Sequence, residues 1–256
     1  MQAPKMLLTI ASAVSLLTVC APASAQAETT HVMIRAKSLD AKFIGAHTGG
    51  VEVTLSNART GALLSRGLIT GGTGDTPRIM QAPRSRDGAI SDAATAGFDA
   101  VLDLAEPTLV RAEAKGPLGR PASVITVTSM MWILPGHDVA GDGWELTFPG
   151  LVIEPAVSKG PSTLTVSANV TMMCGCPISP GGVWDAGRFS VDAVVLDHGK
   201  MVGKSALSYA GKASQFAADL PPLKPGHYTL RLVASEAGTP NVGVVEQPLD
   251  VQPGLN

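Results

Sequence analysis

Val51-Glu52-Val53-Thr54-Leu55 is followed by Asn57-Ala58-Arg59-Thr60-Gly61 and then by the run Leu63 to Ile69. In the first segment apolar and polar residues alternate. A period of two places Val51, Val53 and Leu55 on one face and Glu52 and Thr54 on the other, the pattern of a strand buried on one side. The stretch from Asn57 to Gly61 supplies a turn, so the three segments together predict a β-hairpin.

The same period recurs on both sides of this hairpin. Upstream it marks His31 to Arg35. Downstream it marks Phe98 to Leu104, Leu109 to Lys115 and Val124 to Leu134. Further on come Trp144 to Phe148, Leu151 to Glu154, Thr163 to Met172, Phe189 to Leu196, Met201 to Leu207, Ser214 to Asp219, His227 to Ala234 and Val242 to Val251. Asp197-His198-Gly199-Lys200 reads as a second tight turn. With 28 glycines, 19 prolines and only 4% aromatic residues, the composition suits short strands joined by turns better than long helices. The expected fold is all-β, with two antiparallel β-sandwich domains.

Two interruptions organise the chain. Residues 70–96 lack the alternation and hold Gly71-Gly72-Thr73-Gly74-Asp75 and Arg84-Ser85-Arg86-Asp87-Gly88. A long exposed loop is predicted here. Such loops are uncommon in compact domains and often functional, which makes Gly71, Gly72, Gly74, Asp75, Arg84 and Arg86 candidate contact residues. The second interruption, residues 135–143, is rich in Gly and Asp and reads as a linker between a domain at 29–134 and another at 144–253.

Val51-Glu52-Val53-Thr54-Leu55, Thr60-Gly61 and Gly67-Leu68-Ile69-Thr70 together resemble the opening of prealbumin-like or carboxypeptidase-regulatory-type domains. The stretch from Lys224-Pro225-Gly226-His227-Tyr228 to Ala234 is similar to immunoglobulin-like bacterial modules. The resemblance is at superfamily level and covers about a third of the chain. It implies sandwiches used for binding, adhesion or assembly, and it transfers no catalytic residue.

At the N-terminus, Lys5 precedes an apolar run from Met6 to Val19 and then Ala23-Ser24-Ala25. A positive end, a short apolar stretch and an A-x-A site predict a signal peptide over 1–25, and hence a periplasmic or secreted protein. Cys20 offers a second reading as a lipid anchor, which the bulk of Val19 before it disfavours. No later segment has the length and apolarity of a membrane span, so no transmembrane segment is expected in the mature chain. The remaining length of about 230 residues suits two domains. A net charge of -2 without a basic run argues against nucleic-acid or anionic-lipid partners, both of which need clustered cations.

The chemistry concentrates in Asn169-Val170-Thr171-Met172-Met173-Cys174-Gly175-Cys176-Pro177. Exposed free thiols do not persist in an oxidising compartment, so Cys174 and Cys176 are expected to be bridged or to hold a metal. A disulfide between them requires a bend, because residues two apart in a strand have Cα atoms roughly 6.5 Å apart, near the upper limit for a bridge. Gly175 allows that bend. The competing reading is a soft-metal site for Cu(I), with both thiolates and a thioether. By alternation Met172 shares the cysteines' face and is the ligand candidate, leaving Met173 to the core. A third reading, thiol redox, lacks the C-x-x-C spacing and its helix.

His137, beside Asp138 and Asp142, is the one histidine worth testing as a further ligand. Met130 and Met131 end another strand and would join only if the domains folded together. There is no G-x-S-x-G elbow, and the glycines of 71–74 lack the Lys-Ser/Thr ending of a phosphate loop. The expectation is an exported, non-catalytic binding or accessory protein with a protein partner in the cell envelope.

Overall fold

The computed structural model describes residues 26–160 and 163–252, so the expected signal peptide and Cys20 lie outside the described residues. The fold is all-β. Seven strands form a first sandwich: β1 (Glu28–Ser38), β2 (Val51–Asn57), β3 (Leu63–Ile69), β4 (Phe98–Leu104), β5 (Thr108–Gly116), β6 (Ile125–Ile133) and β7 (Val139–Phe148). Seven more form a second: β8 (Leu151–Lys159), β9 (Leu164–Met172), β10 (Phe189–Asp197), β11 (Lys200–Tyr209), β12 (Gln215–Asp219), β13 (Gly226–Glu236) and β14 (Val242–Val251). None of the described helices is long and apolar enough to cross a membrane.

The β2–β3 hairpin forms as expected, with Val51 opposite Ile69. Its turn is held by the Asn57 carboxamide oxygen, which accepts from the amides of Arg59 (2.9 Å) and Thr60 (3.1 Å). Val51, Val53 and Leu55 are fully buried. They face Val32, Ile34 and Ala36 of β1 across the sandwich, in one core shared by a sheet of order β4-β1-β7 and a sheet of order β3-β2-β5-β6.

Two expectations are corrected here. First, residues 135–143 do not form a linker, and the second domain does not begin at 144. Strand β7 starts at Val139 and pairs with β1, Ile34 lying opposite Trp144 and Ser38 opposite Phe148. Trp144, Leu146 and Phe148 enter the first core. The glycines that suggested a linker instead break the ladder's register near Val32, with Gly141 and Gly143 at φ +68° and +72°. The β1–β7 pair is parallel, so the first sandwich is not wholly antiparallel.

Second, residues 70–96 are not a free loop. The base is clipped to itself by the Gly72 amide donating to the Ala94 carbonyl and the Ala96 amide to the Gly72 carbonyl, both at 2.8 Å. A short helical turn, Pro77–Gln81, sends Ile79 into the first core, and Ile90 follows it. The longest exposed run is the tip, residues 81–89. Apolar anchors at wide, irregular spacing carry no periodic signal, which is why the segment reads as loop.

In the second sandwich the strands run β14-β13-β10-β11-β12-β9-β8. Strand β11 passes from one layer to the other: Leu207 pairs with β10, while Ser208 and Tyr209 pair with β12. The outermost strands, β8 and β14, carry Pro155 and Pro248.

The two sandwiches are packed against each other. Val152 of β8 and Met173 lie in the first core, and Ala41 lies in the second. Asn241, fully buried, donates to the Leu39 carbonyl (3.1 Å) and to Glu236 (2.8 Å) and accepts from the Gly150 amide (2.9 Å).

Candidate functional site: a cleft at the junction of the two sandwiches

Strand β9 runs out at the sulfur-rich segment, and the chain reverses there. The Gly175 amide donates to the Met172 carbonyl at 2.8 Å, and the Met172 amide donates to the Cys176 carbonyl at 3.2 Å. Gly175 takes φ +77°, a region that L side chains rarely adopt. The bend brings the Cα atoms of Cys174 and Cys176 to 5.4 Å, and the two form a disulfide. Alternation places the flanking methionines as expected: Met172 joins the cysteines on the side of the second core, and Met173 points into the first. Both thioethers are sealed from solvent, at 0% and 1% exposure.

His47 covers this turn. It sits in a short helical turn, Ala46–Thr48, just after the chain enters from Gly45. A methyl group added to Gly175 would lie 2.7 Å from the His47 ring and 2.9 Å from the Thr48 methyl, so glycine is demanded here by close approach as well as by φ. Gly45 is held in turn by the Gly71 carbonyl, which accepts from the Ala46 amide at 3.0 Å.

The result is a cleft of about 450 Å³ between the sandwiches. Gly71, Gly72, Thr73 and Thr76 line it from the base of the 70–96 segment. The Cys174-to-Pro177 turn and Trp184 line it from the second sandwich, with Lys42 and His47 between. The walls are fixed. Trp184 donates its indole N–H to the Asp40 carbonyl at 2.9 Å, and Lys42 donates to the Gly74 carbonyl at 3.2 Å.

Thus two stretches singled out separately in the sequence, the glycines at 71–72 and the cysteines at 174–176, meet in space. The other candidate residues do not join them. Gly74 packs over Ile79, Asp75 caps the amide of Arg78 at 2.8 Å, and Arg84 and Arg86 are exposed at the tip. His137 is exposed and lines no part of the cleft. Its acidic neighbours are used structurally: Asp138 accepts from the His31 amide at 2.7 Å, and Asp142 accepts from Ser91 and Ile90. Met130 and Met131 lie on β6, where they do not line the cleft. Among the described residues no three His, Cys, Asp or Glu side chains gather as a metal site. His47 is the residue that sequence reasoning missed; the Gly49-Gly50 pair after it was the available sign of a tight, specially shaped turn.

Electrostatics fix the base of the 70–96 segment. Arg35 is 6% exposed and donates to the carbonyls of Thr95 (2.6 Å) and Ala96 (2.8 Å). Burial pushes its guanidinium pKa down, and the carboxylates of Asp142 and Asp92 push it back up. Asp142 itself is drawn up by partial burial. The hydroxyl of Ser91 (2.6 Å) and the amides of Ile90 and Ser91 outweigh that effect and hold its carboxyl below the usual range.

No family model matches this chain, and no curated protein matches it. Among solved structures, the chicken interferon gamma receptor alpha chain is similar over 90% of this chain and 100% of its own, at 8% identity and a TM-score of 0.34. A DUF3823 family protein from Bacteroides uniformis is similar over 86% of this chain and 98% of its own, at 12% identity and a TM-score of 0.29.

Proposed function

We propose that this protein is an exported, non-catalytic binding or accessory module of the cell envelope, and that it engages its protein partner through the junction cleft. The observation that carries the reading is the convergence of the 71–76 wall, His47 and the Cys174–Cys176 turn on one concave surface between two sandwiches. Export rests on the N-terminal charge, apolar run and A-x-A site, and the disulfide is in keeping with an oxidising compartment. In this reading the disulfide shapes one wall and takes no part in chemistry.

The test is a photo-crosslinking amino acid at Thr73, with a control at the exposed Met201 in the far hairpin. An envelope protein captured at Thr73 and not at Met201 is expected, and it should be lost in Thr73→Trp, which fills the cleft. Identical products from both positions would end the reading.

A second reading is favoured by His47. In the dithiol state, Cys174 and Cys176 offer two soft thiolates, which in low coordination number suit Cu(I), and the His47 imidazole lies on the same cleft as a further donor. Reduced protein would then bind one Cu(I) per chain, and replacing both cysteines by serine would abolish uptake. Stoichiometry unchanged by those replacements rules it out.

A further inference from the structure

Strand β6 is built differently from every other outer strand among the described residues. It is the last strand of the sheet β3-β2-β5-β6 and pairs with β5 without a register break, from Thr108 opposite Ile133 to Gly116 opposite Ile125. Its other edge leaves a row of backbone donors and acceptors outside that ladder. The remaining outer strands carry the usual protections against stray pairing. Strand β3 has Arg66 and a register break; β4 has Asp99 and Asp103; β7 has Glu145 and a register break. Strands β8 and β14 have proline and charge together, Pro155 with Glu154 and Pro248 with Glu246. Strand β6, Ile-Thr-Val-Thr-Ser-Met-Met-Trp-Ile, has no charge, no proline and no break.

It is also under-covered. The inward residues of neighbouring β5, Val110, Ala112 and Ala114, are fully buried, whereas Ile125, Val127 and Met131 of β6 are only half-buried. On the outer face Met130 and Trp132 are 53% and 52% exposed. Trp144 of β7 reaches the inner face and donates its indole N–H to the Ser129 hydroxyl at 3.3 Å, but no strand pairs with the backbone along the outer edge.

We infer that β6 is a pairing edge whose occupant is the β6 strand of a second copy of this chain, added antiparallel about a two-fold axis at Ser129. An isologous contact requires a strand to complement itself. About Ser129, Ile125 meets the partner copy's Ile133, Val127 meets its Met131, and Thr128 meets its Met130. The half-buried Ile125, Val127 and Met131 are therefore covered by apolar side chains, and no like charges are opposed because β6 has none. The two four-stranded sheets become one sheet running through the dimer. This surface lies on the first sandwich and is separate from the junction cleft.

The test uses the mature full-length chain. Sedimentation equilibrium in the micromolar range is expected to give twice the monomer mass. Two charge variants, Thr128→Lys with Met130→Lys and Thr128→Glu with Met130→Glu, each oppose like charges across the axis and are expected to fall to the monomer mass. Mixed in equal amounts, they are expected to return to the dimer mass, an outcome that misfolded variants would not give. A monomeric parent protein, dimeric charge variants, or a mixture that stays monomeric would each overturn the inference.

Discussion

Asp142 shows how much a single carboxylate decides in this molecule. It accepts two backbone amides and a hydroxyl from Ile90 and Ser91, at the point where the 70–96 segment returns to the sandwich. Replacing it with Asn should lower stability by about 1–2 kcal/mol, since hydrogen bonds to a charged acceptor are the stronger class. The pH dependence has a definite sign. The folded-state pKa lies below the ordinary value of 3.8, so the stabilisation is complete above that value and is lost as pH falls through the lower, folded-state value. The Tm difference between parent and Asp142→Asn should therefore shrink in acid; a gap that widens there would contradict the assignment. Nothing in Gly-Asp-Gly identified this role, because its partners lie about fifty residues away. Gly175 was legible for the opposite reason: the bend it permits is local.

At the scale of elements, Gly67 of β3 and Phe98 of β4 make a close contact between the two sheets of the first sandwich, beside the backbone bridge of Thr70 and Gly97. The Phe98 ring occupies the space where a Cβ at Gly67 would stand. Gly67→Ala should cost about 1–3 kcal/mol through overpacking, and Phe98→Leu should recover part of it. Denaturant midpoints of the two single variants and the double variant measure this. Additive losses would mean that the contact is not the cause.

Strands were the most legible elements, because a half-buried strand writes its burial into every second residue. Strand β9 was found in this way, with Val166, Ala168, Val170 and Met172 all turned to the second core. Strand β7 was found only from Trp144 onward, since Ala140 to Gly143 give no alternation and the register break absorbs them. The junction cleft could not be read as one surface, although residues of both its walls were singled out in the sequence. Its two walls are about a hundred residues apart, and a concave surface has no period.

For the whole molecule, the junction decides whether the halves behave as one body. Asn241 satisfies groups from three segments at 0% exposure. Asn241→Ala leaves the Gly150 amide and the Leu39 carbonyl without this partner, at about 1–3 kcal/mol for each group left unpaired, while Glu236 keeps Thr239 and Arg188. Calorimetry is expected to show a single unfolding transition in the parent and two in the variant. A single transition in both would mean that the cores shared through Val152 and Met173 suffice to couple the halves.

The parallel union of β1 with β7 imposes a timetable on the nascent chain. Ile34 can meet Phe98 of β4 first, but finds Trp144 only after more than a hundred further residues have been made, so one side of the leading strand stays open until then. A chain arrested before Val139 would therefore hold β1 on its β4 side alone, with the first core unclosed where Trp144, Leu146 and Phe148 belong.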